Sequence, residues 1–150
     1  MFGSLGHSES IISQPSMIPY PELVLAGIEC HMKGMFLGMK SNSLIDDALE
    51  LQPTSPLVQK LYAGSKLYTP EMFGGDPREA TESFAVAIEI YEGGEDTLNN
   101  WLYLDSMMGL SMAYRKTDQQ DKAIQVLKKA ISIEPDYKWA EATLSRLEKS

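Results

Sequence analysis

Apolar residues in the last third of the chain recur at helical spacing. The set comprises Leu110, Tyr114, Ile124, Leu127, Ile131 and Ile133. Intervals of three and four place apolar side chains on one face of a helix, so the pattern predicts two amphipathic α-helices in this segment. The second helix is expected to end before Pro135, because proline donates no backbone hydrogen bond and clashes with the preceding helical turn.

Small residues fall where these two helices would cross. Ser111, Ala123 and Ala130 allow two antiparallel backbones to approach closely, while larger side chains fill the space on either side. Thr117 is followed three residues later by Gln120, a spacing that predicts a capping box at the start of the second helix. The segment therefore predicts a helical hairpin with marked boundaries.

Start and stop signals divide the rest of the chain into further helices. Residues 1–18 are rich in Gly, Ser and Pro and predict a flexible arm, followed by a single domain over residues 19–150. Ser55-Pro56 and Asp76-Pro77 each place a capping residue before a proline at the first helical position. Seven helices are predicted, five of them outside the hairpin above. The first begins at Pro19 or Pro21 and runs to about residue 40, and the others cover residues 43–51, 55–68, 77–91 and 137–147.

The spacing within the hairpin resembles the tetratricopeptide repeat, a 34-residue helix-turn-helix unit. The matching positions are Met107, Leu110, Ser111, Tyr114, Ala123, Leu127, Ala130 and Pro135. Upstream, Ala80-x3-Phe84-x2-Ala87 reproduces the spacing of the second helix, and an earlier unit around residues 29–53 is degenerate. The resemblance implies an all-α, right-handed α-solenoid of about three such helical hairpins plus a C-terminal capping helix.

The resemblance also implies where a partner would bind. In tetratricopeptide domains the first helices of the hairpins line a concave face that usually holds a protein or peptide. Carried onto this chain, the peptide-binding groove would contain Leu23, Cys30, Leu61, Ser65, Tyr68, Met108, Met112 and Arg115. Such a groove is mainly apolar and rich in methionine, which implies a non-enzymatic scaffold for protein–protein interaction. A clamp for a terminal carboxylate is not expected, because Met108 and Met112 occupy the places where it would need basic residues.

The methionines also have a second interpretation. Met108 and Met112 share one side of the predicted fifth helix, where Met can fill irregular gaps in a core as readily as it lines a deformable groove. Sequence alone leaves both interpretations open.

The turn Thr69-Pro70-Glu71-Met72-Phe73-Gly74-Gly75-Asp76 is similar to insertions in bacterial tetratricopeptide proteins, including ones like the periplasmic T-component of tripartite solute transporters. This similarity implies an alternative function as a small-ligand-binding or transporter accessory protein. The two glycines are expected to permit positive φ in a tight turn. Met72 and Phe73 are expected to pack into the hairpin.

Composition excludes several functional classes. A formal charge of −8 disfavours nucleic-acid binding, since phosphates would be repelled. Cys30 is the only cysteine, which excludes an internal disulfide, and the pattern of Cys and His predicts no metal site. No catalytic constellation and no cofactor motif is recognisable, so we expect the protein not to be an enzyme. No apolar run is long enough for membrane insertion.

Two expectations concern compartment and self-association. No signal peptide is recognisable, which favours the cytoplasm, whereas a processed or truncated periplasmic chain would look the same. The apolar residues of the N-terminal arm, among them Ile11 and Ile12, could occupy the groove of the same or another copy. Self-association through the arm is therefore one predicted interaction, besides binding of another protein or peptide segment.

Overall fold

A computed structural model of the chain describes residues 21–94 and 100–149, without the side chains of residues 21–32 and 35. The described residues form six α-helices, one short 3-10 helix at Glu71–Phe73 and no strand. The helices are α1 (Pro21–Leu51), α2 (Pro56–Tyr68), α3 (Pro77–Gly93), α4 (Trp101–Lys116), α5 (Gln120–Ile133) and α6 (Lys138–Leu147). The predicted all-α class is confirmed.

Helix α1 continues without interruption from Pro21 to Leu51. The predicted division near residues 40–43 is therefore wrong, and one of the three predicted hairpins is a single long helix. Ser41, Asn42 and Ser43 have modest helix propensity, but each costs only a few tenths of a kcal/mol, and no proline or glycine stops the helix there. The predicted arm, residues 1–18, lies outside the described residues.

The chain divides into two units, Met1–Met35 and Phe36–Ser150, and the packing that follows concerns the second. From α2 to α6 each helix packs against the next, and α2 also packs against α4. The order corresponds to two stacked hairpins, α2–α3 and α4–α5, followed by α6 as a closing helix. The assignment of residues 19–150 to a single domain stays a prediction.

Alanines at the predicted crossings have no exposed surface. Ala80, Ala87, Ala123 and Ala130 are all 0% accessible. A larger side chain at any of these positions would push the helices apart, because protein interiors are close-packed. The close approach of paired helices inferred from small residues is confirmed.

Helix caps agree with the sequence signals in two of three places. Ser55 accepts a hydrogen bond from the Val58 N–H, and Asp76 accepts from the first turn of α3. Thr117 does not cap α5: it ends α4, where its hydroxyl donates to the Ala113 carbonyl at 3.0 Å. Threonine often bonds to the preceding turn of its own helix in this way, so the predicted capping box is wrong.

Candidate functional site: a surface shared by α2 and α4

Helices α2 and α4 lie side by side, and both have well-defined beginnings. Pro56 follows the capping Ser55 at the start of α2. Asn100 caps α4 by accepting from the N–H groups of Leu102 and Tyr103 at 3.1 and 3.4 Å. The sequence analysis missed this cap, although asparagine directly before an apolar helical run is a recognised start signal.

An ion pair joins the two helices near the start of each. Lys60 Nζ lies 2.6 Å from Asp105 Oδ2. The same ammonium group lies 6.0 Å from the centre of the Trp101 ring, within range of a cation–π interaction. Since side-chain exposure is 17% for Lys60 and 37% for Asp105, the pair is partly shielded from solvent and holds the helices in register.

Two further contacts join the opposite ends of the helices. The Tyr68 hydroxyl donates to Met112 Sδ at 3.4 Å, and Lys116 Nζ donates to the Leu67 carbonyl at 2.7 Å. The second bond satisfies a carbonyl at the C-terminus of α2 that has no partner within its own helix. The exposed surface between these bonds and the Lys60–Asp105 pair is therefore held by contacts at both ends.

We call this surface the α2–α4 face. It consists of Lys60, Leu61, Ser65, Tyr68, Asp105, Met112 and Arg115. Leu61 is 48% exposed and Tyr68 is 64% exposed, so both side chains present apolar surface to solvent. Arg115 is exposed, whereas Ser65 and Met112 are half-buried.

Three of the predicted groove residues are not part of this face. Met108 is only 1% exposed and packs in a core cluster with Ala123, Leu127, Ala140 and Leu147. Its assignment to the groove is wrong, because α5 and α6 cover it. Leu23 and Cys30 lie outside the described side chains, so their places in the groove stay predictions.

The charge of Asp105 affects two tyrosines. Burial, with a smaller effect of the Asp105 carboxylate, raises the pKa of Tyr68 above its ordinary value. The same two causes raise the pKa of Tyr137, which directly precedes α6, to about 12. Both hydroxyls are therefore protonated at neutral pH and can donate hydrogen bonds. The Asp105 carboxylate therefore helps to raise the pKa of one tyrosine at the end of α2 and of another directly before α6.

A concave region of about 470 Å³ extends the α2–α4 face at the end marked by Met112. Its lining is Met112, Arg115, Lys116, Asp118, Gln120 and Leu147. Two of these residues carry positive charge and one carries negative charge. This end of the face is therefore suited to a polar or acidic group, while Leu61 and Tyr68 are suited to an apolar one.

The extended turn before α3 is shaped by its two glycines. Gly74 has φ of 92°, the left-handed region in which glycine is favoured, whereas Gly75 does not have positive φ, so the prediction is confirmed for one of the two glycines. Gly75 lies so close to the Thr69 carbonyl that a Cβ would overlap its oxygen. Met72 and Phe73 are 82% and 42% exposed, so the expectation that they pack into the hairpin is wrong. The short 3-10 helix directs both side chains outward.

A second concave region, also of about 470 Å³, lies beside this turn. It is lined by Glu71, Gly75, Asp76, Pro77, Arg78, Lys116, Thr117 and Asp118. The lining is mainly charged and contains both signs. Such a surface differs from the predominantly apolar pockets that enclose most small ligands.

No metal site and no membrane span is found in the described part of the chain. Among the side chains that the structure describes, which exclude those of residues 21–32 and 35, no group of three or more His, Cys, Asp or Glu is placed to hold a metal ion. No helix within residues 21–94 and 100–149 is long and apolar enough to cross a membrane.

Comparison with known proteins gives one family match. Residues 104–137 match the family described as Tetratricopeptide repeat, and they include most of α4 and all of α5. A search of curated proteins finds no match to the chain. Repeats of this kind generally bind proteins or peptides and are typically non-catalytic. The match and the stacked hairpins together support a tetratricopeptide repeat protein with a helical repeat fold.

Proposed function

We propose that the protein is an interaction scaffold that holds an apolar segment of a partner protein along the α2–α4 face. The contact between Tyr68 and Met112 carries the proposal. It fixes a largely exposed aromatic ring beside a thioether on the neighbouring helix. The exposed Leu61 lies on the same side of α2, about two turns before Tyr68. An apolar surface of this kind, bordered by charges, is typical of sites that bind another protein.

The residues of the face also indicate what kind of segment would fit. Tyr68 supplies a broad ring whose hydroxyl oxygen can accept a hydrogen bond while its proton is donated to Met112 Sδ. The flexible Met112 side chain suits a surface that accommodates different side chains. Arg115 lies at one end of the face beside the polar concavity, and it would pair with an acidic residue of the partner. A short segment with two or three apolar residues followed by an acidic residue therefore suits this surface.

Substitution of single residues on the face tests the proposal. Tyr68→Glu and Met112→Glu are each expected to abolish capture of partners from a lysate of the native host, because a carboxylate would be desolvated against the partner's apolar surface. Val86→Glu is the matched control, since Val86 is 38% exposed on α3 and lies outside the face. Circular dichroism should show unchanged helical content in all three variants.

A peptide-display library supplies a probe that does not depend on the host. Wild-type protein should select apolar segments that compete with the captured partner, and the Tyr68→Glu variant should not select them. Loss of helical content in both variants of the face would assign Tyr68 and Met112 to the core. Undiminished capture by folded variants would place the binding surface elsewhere.

A second candidate function is a small-ligand carrier or transporter accessory protein of the periplasmic bacterial type. The observation behind this candidate is the charged concavity beside the extended turn, which suits a small charged ligand rather than an enclosed apolar one. A screen of small anions and metabolites by thermal denaturation would test it, with Arg78→Ala as the variant expected to lose any stabilisation. A ligand that stabilises wild-type protein but not this variant would support the carrier function over the scaffold.

A further inference from the structure

A glycine interrupts an exposed apolar stripe along α2. Leu57, Leu61 and Tyr68 are 44%, 48% and 64% exposed. Gly64 follows Leu61 by three residues and precedes Tyr68 by four, so it lies on the same side of the helix as both. Because glycine has no side chain, the stripe has a gap between these two residues. We call this gap the Gly64 notch.

The packing of the described structure does not account for this glycine. Gly64 lies in the interior of α2, where glycine is less favourable than any residue except proline. Its φ is not positive, and a Cβ at this position would meet no atom within 4 Å among the described residues. Gly109, by contrast, makes room for the ring of Phe84. A glycine that neither needs positive φ nor makes room for a neighbour is suited to the close approach of another molecule.

Contacts with α4 fix both edges of the notch. At one edge, the Tyr68 hydroxyl donates to Met112 Sδ at 3.4 Å. At the other edge, formed by Leu61, the adjacent ion pair between Lys60 and Asp105 joins α2 to α4. The notch is therefore formed before a partner binds, which reduces the entropy that is lost on binding.

Positive charge lies beyond the notch, at the end of the α2–α4 face. Arg115 is exposed, and no partner of its guanidinium group is found among the described residues. The neighbouring Lys116 ammonium donates to the Leu67 carbonyl. Asp118 also lines the adjoining concavity but forms no ion pair with Arg115 in the described structure. A carboxylate of the partner is therefore the group that this guanidinium is placed to bind.

We infer that the partner segment inserts a large apolar side chain into the Gly64 notch, an inference that rests on the proposed function of the α2–α4 face. The notch lies about 6 Å along α2 from the level of Tyr68 and Met112, and Arg115 lies about 4.5 Å further along α4. In an extended segment, alternate residues point to the same side and are about 7 Å apart. The apolar residue in the notch is therefore followed, two residues later, by a second one beside Tyr68. An acidic residue two positions further on pairs with Arg115.

The length of this span favours an extended segment over a helix. The notch and Arg115 are about 10 Å apart along the helix axes, a distance that a helix covers with about seven residues. A helix of this length is unstable alone, since isolated helices shorter than about 12 residues are marginal in water. An extended segment covers the same span with about three or four residues and does not have to form a helix first.

Fluorescein-labelled synthetic peptides with blocked termini test the inference by fluorescence anisotropy. The first peptide contains Phe-Ser-Leu-Ser-Glu, and the second has alanine in place of phenylalanine. Wild-type protein should bind the first at least about tenfold more tightly, because the larger side chain is buried in the notch. Gly64→Leu fills the notch and should bind both peptides with equal affinity. Ala85→Leu is the matched control, because Ala85 is exposed in the interior of α3 outside the face, and it should keep the preference.

Stability separates a filled notch from a damaged fold. Leucine favours a helix over glycine, so Gly64→Leu should unfold at a higher urea concentration than wild type while it loses the preference for phenylalanine. A preference that persists in this variant would overturn the inference, as would wild-type protein that binds both peptides equally or binds neither. A variant less stable than wild type would also overturn it, by showing that the fold itself needs the glycine.

Two further peptides test the conformation and the register. Proline in place of the first serine restricts the preceding phenylalanine to an extended backbone and should leave the affinity within about tenfold, whereas a greater loss would contradict an extended segment. Lysine in place of glutamate should weaken binding to wild type and restore binding to Arg115→Glu. Unchanged affinity in both of these pairs would contradict the assigned position of the acidic residue.

The outcomes distinguish failure of this inference from failure of the proposed function. Tyr68→Glu tests the whole face with partners from the host, whereas Gly64→Leu tests one position within it. If Tyr68→Glu loses capture and Gly64→Leu keeps the preference for phenylalanine, the proposed function stands and the inference alone fails. If folded Tyr68→Glu captures partners as wild type does, the proposed function fails and the inference fails with it.

Discussion

The ring of Phe84 lies directly against the backbone of Gly109, where α3 crosses α4. A Cβ at Gly109 would fall within 3 Å of three carbon atoms of this ring. Phe84 is 3% exposed and belongs to the core cluster that joins the two hairpins. The absence of a side chain at Gly109 therefore sets how closely the second hairpin stacks on the first.

Substitution of Gly109 by alanine should destabilise the protein. Alanine favours a helix over glycine by about 1 kcal/mol, but the overlap with the buried Phe84 ring should cost about 3 kcal/mol, so the net loss should be about 2 kcal/mol. Gly64→Ala in α2 is the matched control, because a Cβ there meets no atom within 4 Å. That variant should be more stable than wild type by about 0.5–1 kcal/mol. Urea denaturation measures the free energy of unfolding of both variants and of wild type.

A double-mutant cycle with Phe84→Leu isolates the contact. The smaller side chain should relieve the overlap, so Gly109→Ala should cost less in this background than in wild type. Equal costs in the two backgrounds would mean that the packing of Phe84 does not depend on Gly109.

The hairpin at residues 104–137 was predictable because its information is local. Ala123 and Ala130 mark the crossing within a single sequence window, and Pro135 marks the end of the second helix. The role of Gly109 was not predictable, because its neighbour Phe84 belongs to another hairpin. The continuity of α1 was missed because weak propensity at Asn42 resembles a boundary when the neighbouring structure is unknown.

The candidate site was predictable in part for the same reason. Helical spacing placed Leu61, Tyr68 and Met112 at comparable positions of two first helices, and the structure leaves Leu61 and Tyr68 exposed. The spacing also placed Met108 there, because position along a helix does not show that α6 covers this turn. Core and surface positions on α4 could be separated only once the last helix was in place.

Truncation of the two methionines should distinguish their environments. Met108→Ala removes a side chain that is 1% exposed, and it should destabilise the protein by about 2–5 kcal/mol. Met112 is half-buried at the edge of the core, so Met112→Ala should cost roughly 1 kcal/mol. Thermal denaturation followed by circular dichroism measures the difference, and equal losses would contradict the placement of Met108 beneath α6.

The turn before α3 should tolerate no side chain at Gly75. A Cβ there would overlap the Thr69 carbonyl, which is backbone and cannot move aside as a side chain can. Gly75→Ala should therefore lower stability by more than about 2 kcal/mol. Gly93→Ala is the control, since a Cβ at that helix end meets no atom within 4 Å. Comparable stability of the two variants, measured by urea denaturation, would refute the close approach at Gly75.

A carboxylate at the end of α3 connects three helices. Glu92 Oε1 accepts from the Tyr103 hydroxyl of α4 at 2.7 Å and from Lys129 Nζ of α5 at 2.5 Å. Burial alone would raise the pKa of Glu92, but the bonds from Lys129 and Tyr103 outweigh it, so the pKa is lowered. The ionised carboxylate therefore stabilises the stacking of α3 on the second hairpin.

This lowered pKa predicts the pH range in which Glu92 contributes to stability. A carboxyl group whose pKa is lower in the folded state stabilises it above the unfolded pKa of 4.5, and the contribution is lost as pH falls through the folded value. Glu92→Gln should therefore reduce the free energy of unfolding at pH 7 by about 1 kcal/mol, since the side chain is 39% exposed and partly screened. The difference from wild type should shrink steadily below about pH 4.5.

Denaturation at a series of pH values measures this effect, with Glu148→Gln as the control. Glu148 pairs with Lys128 at 3.2 Å, but the two side chains are 49% and 59% exposed. This pair should contribute less than about 0.5 kcal/mol at pH 7, because solvent screens it and both side chains lose entropy on pairing. A Glu92→Gln variant as stable as the control at every pH would show that the carboxylate does not hold the three helices together.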